Sequence, residues 1–344
     1  VREVRQAARS LIRERGFTAT VILTLGVAIA ANTAMFAIIN SVLLRPLPVP
    51  NSERMVLLSN RYPKAGAGES NQSGVADYYD RMTAVTALEQ QALFQSTSLT
   101  LEIQGVPQQV PALAATPSLF PLLSARAAHG RLFLPEEGEV GAERKVVLTA
   151  ALARQLFGSG AAAVGREIRL GARPFAIVGV MPADFSFVNP EVRLWVPLAF
   201  REEVKQGRHS NNWHHVGLVK RGRTMAEVQA QVDALNRANL DRFPEFKEIL
   251  LNAGFHTAVE PLEWLLVSKV RGSLYLLWGG AALVLLIAAM NVTNLMLARA
   301  STRRQEIACR AALGASRYQL ARQLTIENLL LGGSGGAAGL GLGY

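Results

Sequence analysis

His209-Ser-Asn-Asn-Trp-His214-His215 brings three imidazoles into a short stretch, the kind of density at which a zinc ion is the first ligand to consider. A tetrahedral site needs nitrogens that converge. His214 and His215 are chain neighbours where a Val- and Leu-rich strand begins, so their side chains point to opposite faces of it. No metal site is expected, and a zinc hydrolase built on these histidines is the weakest functional reading. Glu136-Glu137-Gly138-Glu139 could attract calcium, but it lacks the ordered ligand spacing of a calcium loop and reads as a solvated turn. The sequence has no glycine-rich loop ending in Gly-Lys-Ser or Gly-Lys-Thr, the arrangement that cradles nucleotide phosphates. No catalytic residue and no directly bound cofactor are therefore expected.

The elements that would carry these residues belong to a membrane protein. Half of the 344 residues are hydrophobic, and the mean hydropathy is +0.19. Residues 17–44 and 273–298 contain no charged side chain; at about 1.5 Å per residue they give roughly 42 and 39 Å of helix, against a hydrocarbon core of about 30 Å. A third charge-free run, 328–344, ends with the sequence and is expected to belong to a third span, 324–344, that is cut short. The first run is too long for the apolar region of a signal peptide and reads as an anchor.

Charge sets the orientation. Arg2, Arg5, Arg9, Arg13 and Arg15 precede the first span against Glu3 and Glu14, while Arg299, Arg303, Arg304, Arg310, Arg317 and Arg322 follow the second against Glu306 alone. The positive-inside rule puts both flanks in the cytoplasm. Residues 45–272 carry 25 basic and 22 acidic side chains, without the bias of a nucleic-acid-binding domain, and are expected outside. Cys309 is the sole cysteine and falls on the inner side, so the outer domain must be held by its own core. In residues 1–16, Val4, Ala7, Ala8, Leu11 and Ile12 have helical spacing with arginines between them, as in a short amphipathic helix on the inner membrane surface.

Within 45–272 the patterns predict strands at 55–58, 99–103, 110–115, 145–148 and 216–219, and helices at 75–87, 118–123, 150–157 and 225–241. A hairpin is expected from 167–170 through Gly171-Ala172 into 175–180. The fold class is thus a membrane protein with α-helical transmembrane spans and a large inserted α+β extracytoplasmic domain.

Several residues in the spans have the spacing for close helix packing. These are Gly26, Ala30 and Ala34 in the first, and Gly332, Gly336 and Gly339 in the third, where Gly332/Gly336, Gly335/Gly339 and Gly339/Gly343 are alternative four-residue pairs. Asn291 and Asn294 share one face of the second span and can bond across helices; a substrate pathway is the alternative. Between the spans, 299–313 reads as a helix with a small apolar stripe at Ile307, Ala308, Ala311 and Ala312. Arg303, Arg304 and Arg310 are left to meet phosphates or acidic surfaces. Gly314 is a natural stop, and Ser316 with Gln319 has the spacing of a capping box for the next helix. Fixing topology needs only positive charge and would not require that order of features.

Asn40-Ser-Val-Leu-Leu-Arg45-Pro46-Leu47-Pro48, Gly130-Arg131-Leu132-Phe133, Gly165-Arg-Glu-Ile-Arg-Leu170, Phe175 to Phe185 and Leu194-Trp195-Val196-Pro197-Leu198 together resemble the MacB-type periplasmic core domain. The run from Arg303 to Ser316 resembles the signature of the FtsX-like permease domain that follows it. The first span and its exit are most similar to large duplicated permeases of acidobacterial type. Leu123-Ser124-Ala125 stands where that family has a Leu-Gly pair, and Val219-Lys220-Arg221-Gly222 where it has Arg-Leu-Lys-Pro-Gly.

The resemblance implies the permease subunit of an ABC transporter in the inner membrane, with four spans, three of them after the external domain. It implies a separate ABC-type ATPase subunit as the route by which ATP acts. Its contact would be an ATPase-coupling loop at 299–323 comprising Arg303, Arg304, Glu306, Ile307, Arg310, Leu313 and Gly314. It further implies a lipid surround, a dimer or pseudo-dimer with a second permease half, and a periplasmic partner. The alternative is an FtsX-like signalling protein that binds an extracytoplasmic partner without transport.

Overall fold

The computed structural model describes residues 2–39, 49–66, 71–103, 105–302, 308, 312 and 317–343. The chain forms two compact units, one of Val1–Arg45 with Val267–Tyr344 and one of Pro46–Leu266. Two helices open the chain, α1 (Arg2–Arg13) and α2 (Arg15–Ile39).

The second unit follows as β1 (Met55–Arg61), α3 (Val75–Ala84), β2 (Leu88–Ile103), β3 (Val106–Ala115), α4 (Leu119–Leu122) and β4 (His129–Gly130). Next come β5 (Lys145–Leu148), α5 (Ala150–Phe157), α6 (Gly160–Ala163), β6 (Glu167–Leu170), β7 (Arg173–Val180), β8 (Leu194–Pro197) and α7 (Glu202–Gln206). β9 (His214–Val219), α8 (Met225–Arg242), α9 (Pro244–Ala253) and β10 (His256–Pro261) complete it. The strands form one sheet in the order β10-β1-β9-β2-β3-β8-β5-β7-β4, with β6 against β2 and β7. Among the described strands only β3–β8 and β5–β7 are parallel.

Local patterns locate most of these elements. β5, α5 and β6 fall where the spacing places them, and the hairpin into β7 turns through Gly171 and Ala172, both at positive φ as a tight hairpin turn demands. β2 starts eleven residues before the expected strand, because Glu89, Gln90, Gln91, Ser96 and Ser98 interrupt the apolar alternation. Gln91 is nevertheless 7% exposed, satisfied by the Arg81 carbonyl at 3.1 Å and by His215 at 3.0 Å. α8 stops at Arg242, and Pro244 takes the first position of α9, where its missing N–H costs no helical hydrogen bond. Neither α9 nor β10 was expected from the sequence.

The largest core joins Leu57, Phe94, Leu113, Phe120, Phe133, Met181, Phe187 and Trp195. A second lies under β5, β6, β7 and α5 around Leu101, Val146, Leu152 and Ile177. The segments that carry the family resemblance meet here. Gly130 of β4 pairs with Gly179 of β7, and a Cβ on Gly179 would lie 2.0 Å from the Arg131 carbonyl oxygen. Only glycine permits that approach.

α10 (Glu263–Thr302), from Val267 onward, and α11 (Arg317–Gly343) belong to the first unit with α1 and α2. Among the described residues two helical stretches, Arg15–Ala37 and Gly272–Thr302, are long and apolar enough to cross a membrane. α11 falls short of that measure because seven glycines dilute its apolar residues. The exit at 40–48, which contributes to the resemblance, lies outside the described residues.

Candidate functional site

The helical unit is assembled by close backbone approach between α2 and α11. Cβ atoms on Gly335, Gly339 and Gly343 would lie 2.9, 2.6 and 2.8 Å from Cβ of Leu25, Ile29 and Thr33. Of the residues selected by spacing, Gly26, Ala30 and Gly339 lie in this seam; the carbonyl oxygens of Gly26 and Ala30 lie where those Cβ atoms of Gly339 and Gly343 would crowd them, both at 2.9 Å. Nothing approaches within 4 Å of a Cβ on Gly332 or Gly336, and Ala34, Asn291 and Asn294 are exposed. The polar contact between α2 and α10 comes from a residue not singled out from the sequence. Asn32 Nδ2 donates to the Ala281 carbonyl at 2.9 Å and to the Ala28 carbonyl at 3.0 Å. An amide alone in an apolar run was the available signal.

A charged cluster joins α1, α2, α10 and α11. Arg299 of α10 is 8% exposed at its side chain, and its Nη2 lies 3.3 Å from Glu327 Oε2 of α11, itself 1% exposed. Its Nε lies 2.8 Å from Glu14 Oε2, between α1 and α2, an ionic contact without hydrogen-bond alignment. Its guanidinium sits 4.7 Å from the ring centroid of Phe17 in α2, and Nη2 donates to Ser10 Oγ of α1 at 3.4 Å. In the sequence Arg299 is one positive charge among several. It lies four residues before Arg303, the first of the expected coupling residues. Arg303, Arg304, Glu306, Ile307, Arg310, Leu313 and Gly314 are all outside the described residues.

In the outer domain the three histidines are dispersed. His209, at φ 62°, lies in the loop before β9 with Nδ1 3.0 Å from the Tyr62 hydroxyl and its ring against Phe246 and Phe255. Burial first, and then the charge of Arg208, press its pKa down against the opposing pull of Asp77. His214 contacts the Asn71 carbonyl at 2.8 Å and packs on Phe94, while His215 is fully buried on the other face between Arg81 and Gln91. Burial, helped by the Arg81 charge, pushes the His215 pKa well below the ordinary value, so this ring is neutral at pH 7.

Arg81 is the centre of that network. Its guanidinium, 1% exposed, donates to Ser73 Oγ, Asn60 Oδ1 and Thr257 Oγ1 at 2.7–2.9 Å, and Asn60 Nδ2 passes the polarity on to Asp77 Oδ2 at 2.6 Å. α3, β1 and β10 are thereby locked to one another. The acidic turn is also committed to structure. Glu137 is 5% exposed and takes paired hydrogen bonds from Arg131 at 2.9 and 2.7 Å plus the Leu134 N–H at 2.9 Å. Burial raises its pKa, but those bonds outweigh burial and leave it below the usual carboxylate value. Among the described residues no three His, Cys, Asp or Glu side chains are grouped to hold a metal.

The MacB-like periplasmic core domain matches residues 18–235, and the FtsX-like permease C-terminal domain matches residues 278–344. The chain belongs to the MacB/FtsX-like permease family. It is therefore an inner-membrane permease component with an extracytoplasmic α/β domain. Macrolide export ATP-binding/permease protein MacB of Neisseria meningitidis is 25% identical over 270 residues, 77% of this chain and 38% of that protein. Pyoverdine export ATP-binding/permease protein PvdT of Pseudomonas entomophila is 26% identical over 212 residues, 60% of this chain and 31% of that protein. The chain thus spans less than half of the curated relatives it matches. The crystal structure of the periplasmic region of MacB from Actinobacillus actinomycetemcomitans aligns with 54% of this chain and 85% of that one, at 12% identity and a TM-score of 0.43.

Proposed function

We propose that this MacB/FtsX-like chain is the permease subunit of an ABC exporter, in which a separate ATPase acts on the cytoplasmic segment 299–323 and the motion serves efflux or mechanotransmission outside. Here the chain crosses the membrane more than once, with 45–272 external and 324–344 contributing a third span. The observation that carries the reading is the Arg299 cluster. A displacement of the segment that joins α10 to α11 begins four residues from an ion cluster that contacts α1, α2 and α11. Buried ion clusters have discrete arrangements rather than elastic ones, so such a push is passed to the whole bundle. ATP is bound by the partner and not by this chain. The export names of the relatives support the same reading.

The test is crosslinking of the full-length protein in its native membrane, followed by purification and identification of captured ATP-binding proteins. Recovery of an ABC-type ATPase is expected, with at least a tenfold loss of capture in an Arg304→Glu, Glu306→Lys, Arg310→Glu variant. If no ATPase is captured, or the variant captures it equally well, the proposal fails. Capture of only an extracytoplasmic protein, with no export defect on deletion, would support the signalling alternative.

A further inference from the structure

Among the described residues, the exposed side of α1 contributes no ion pair to the bundle. Ala7 and Leu11 are buried at 0% and 7% exposure, and Leu11 packs with Val21 and Leu331 of α2 and α11. That contact uses one flank of the helix. On another flank Arg5, Arg9 and Arg13 recur every fourth residue, all exposed, with guanidinium groups stepped by about 6 Å along the axis. Among the described residues none of the three has an ion-pair partner. Ile12, 62% exposed, stands beside Arg9 at helical spacing.

The place of α1 in the chain narrows what can cover this face. It ends at Arg13, and the first stretch able to cross a membrane begins at Arg15. The turn between them is closed by the Thr18 hydroxyl donating to the Leu11 carbonyl at 2.8 Å. The arginine row is thus held by protein contacts within a helical turn or two of the point where chain enters lipid, which is the headgroup zone. An apolar side chain beside a cationic row suits that zone, since Ile12 can enter the acyl boundary while the guanidinium groups pair with phosphate.

We infer that Arg5, Arg9 and Arg13, with Ile12, form a docking row for the phosphate headgroups of anionic phospholipid. The row selects a charged headgroup over a zwitterionic one. This rests on the membrane reading above for placing α1 on the cytoplasmic side, where the positive-inside rule and the leaflet charge agree.

The test is native mass spectrometry of the full-length chain in mild detergent, titrated with phosphatidylglycerol or with phosphatidylcholine. Preferential retention of phosphatidylglycerol is expected. Arg5→Gln, Arg9→Gln, Arg13→Gln should weaken it by roughly ten- to a hundredfold and leave phosphatidylcholine binding unchanged. Removing equal charge from the outer domain, Arg166→Gln, Arg169→Gln, Arg173→Gln, should alter neither. Glycerol phosphate at the same concentrations should not compete, because it lacks the acyl chains that Ile12 meets. The inference is overturned if the α1 variant retains phosphatidylglycerol like the parent, if the outer-domain variant loses it equally, or if glycerol phosphate displaces the lipid. It is also overturned if the α1 variant keeps its lipid but loses ATPase capture, which would assign the row to a protein surface. No ATP-binding partner takes part in the lipid titration, so failure here is separable from failure of the exporter reading.

Discussion

Arg299→Met is the perturbation that most directly tests how the helical unit is held. Two carboxylates meet this guanidinium, and their exposure decides their weight. Glu14 is at 2.8 Å but 37% exposed, so water screens it and its share is under about 1 kcal/mol. Glu327 is at 3.3 Å but only 1% exposed. Removing one member of a buried pair ordinarily costs about 3–5 kcal/mol, because the remaining charge keeps its desolvation penalty. Glu327 has further interactions of its own, which places the expected loss near the lower end, about 3 kcal/mol. That is roughly a 150-fold fall in the ratio of folded to unfolded protein. The measurement is reversible unfolding of the full-length chain in mixed micelles, with increasing denaturing detergent and helical circular dichroism as the signal. The double variant Arg299→Met, Glu327→Met replaces both charges by apolar groups of similar length and should recover most of the loss, giving a coupling of about 2 kcal/mol. A single-variant cost below about 1 kcal/mol, or a double variant no more stable than the single, would refute the claim that this pair organises the bundle.

Three further substitutions probe backbone geometry. Gly339→Val should separate α2 from α11 and cost about 1–3 kcal/mol in the same unfolding assay, since its Cβ would lie 2.6 Å from Ile29 Cβ. Gly332→Val, on the open side of the same helix, should stay within about 0.5 kcal/mol, and equal effects at the two sites would show that the seam lies elsewhere. Ser124 ends α4 at φ 53°, with its N–H and that of Ala125 bonded back to Pro121 and Phe120. Ser124→Gly relieves about 1 kcal/mol of left-handed strain, and the extra freedom of glycine in the unfolded chain offsets about half of it. A gain of about 0.5 kcal/mol is expected from thermal unfolding of the outer domain in the full-length chain, and a loss would contradict the assigned turn.

What the sequence alone determined rests on properties that each residue carries independently of its distant neighbours. Transfer of apolar side chains into lipid marks 17–44 and 273–298, and the structure has membrane-length helices at Arg15–Ala37 and Gly272–Thr302. The positive φ of Gly171 and Ala172 answers to short-range backbone chemistry, which is why the hairpin turn is readable there. The departure from the family pattern at Ser124 is legible for the same reason: a position that tolerates glycine best is left-handed.

Only tertiary structure decided which of several equivalent patterns is used. Glycines 332, 335, 336, 339 and 343 contain overlapping four-residue pairs, and nothing local distinguishes Gly332/Gly336 from Gly335/Gly339; the helix facing them does. Asn32 outranks Asn291 and Asn294 because Ala281, far away in the chain, presents its carbonyl to Asn32. Gln91 is buried in a strand its own polarity argues against, because Arg81 and His215 satisfy it. Arg299 was one basic residue among many until α1, α2 and α11 closed around it. Apolar transfer and backbone strain are close to additive along a chain, whereas hydrogen bonds and buried ion pairs exist only once a partner arrives, and partners are a matter of fold.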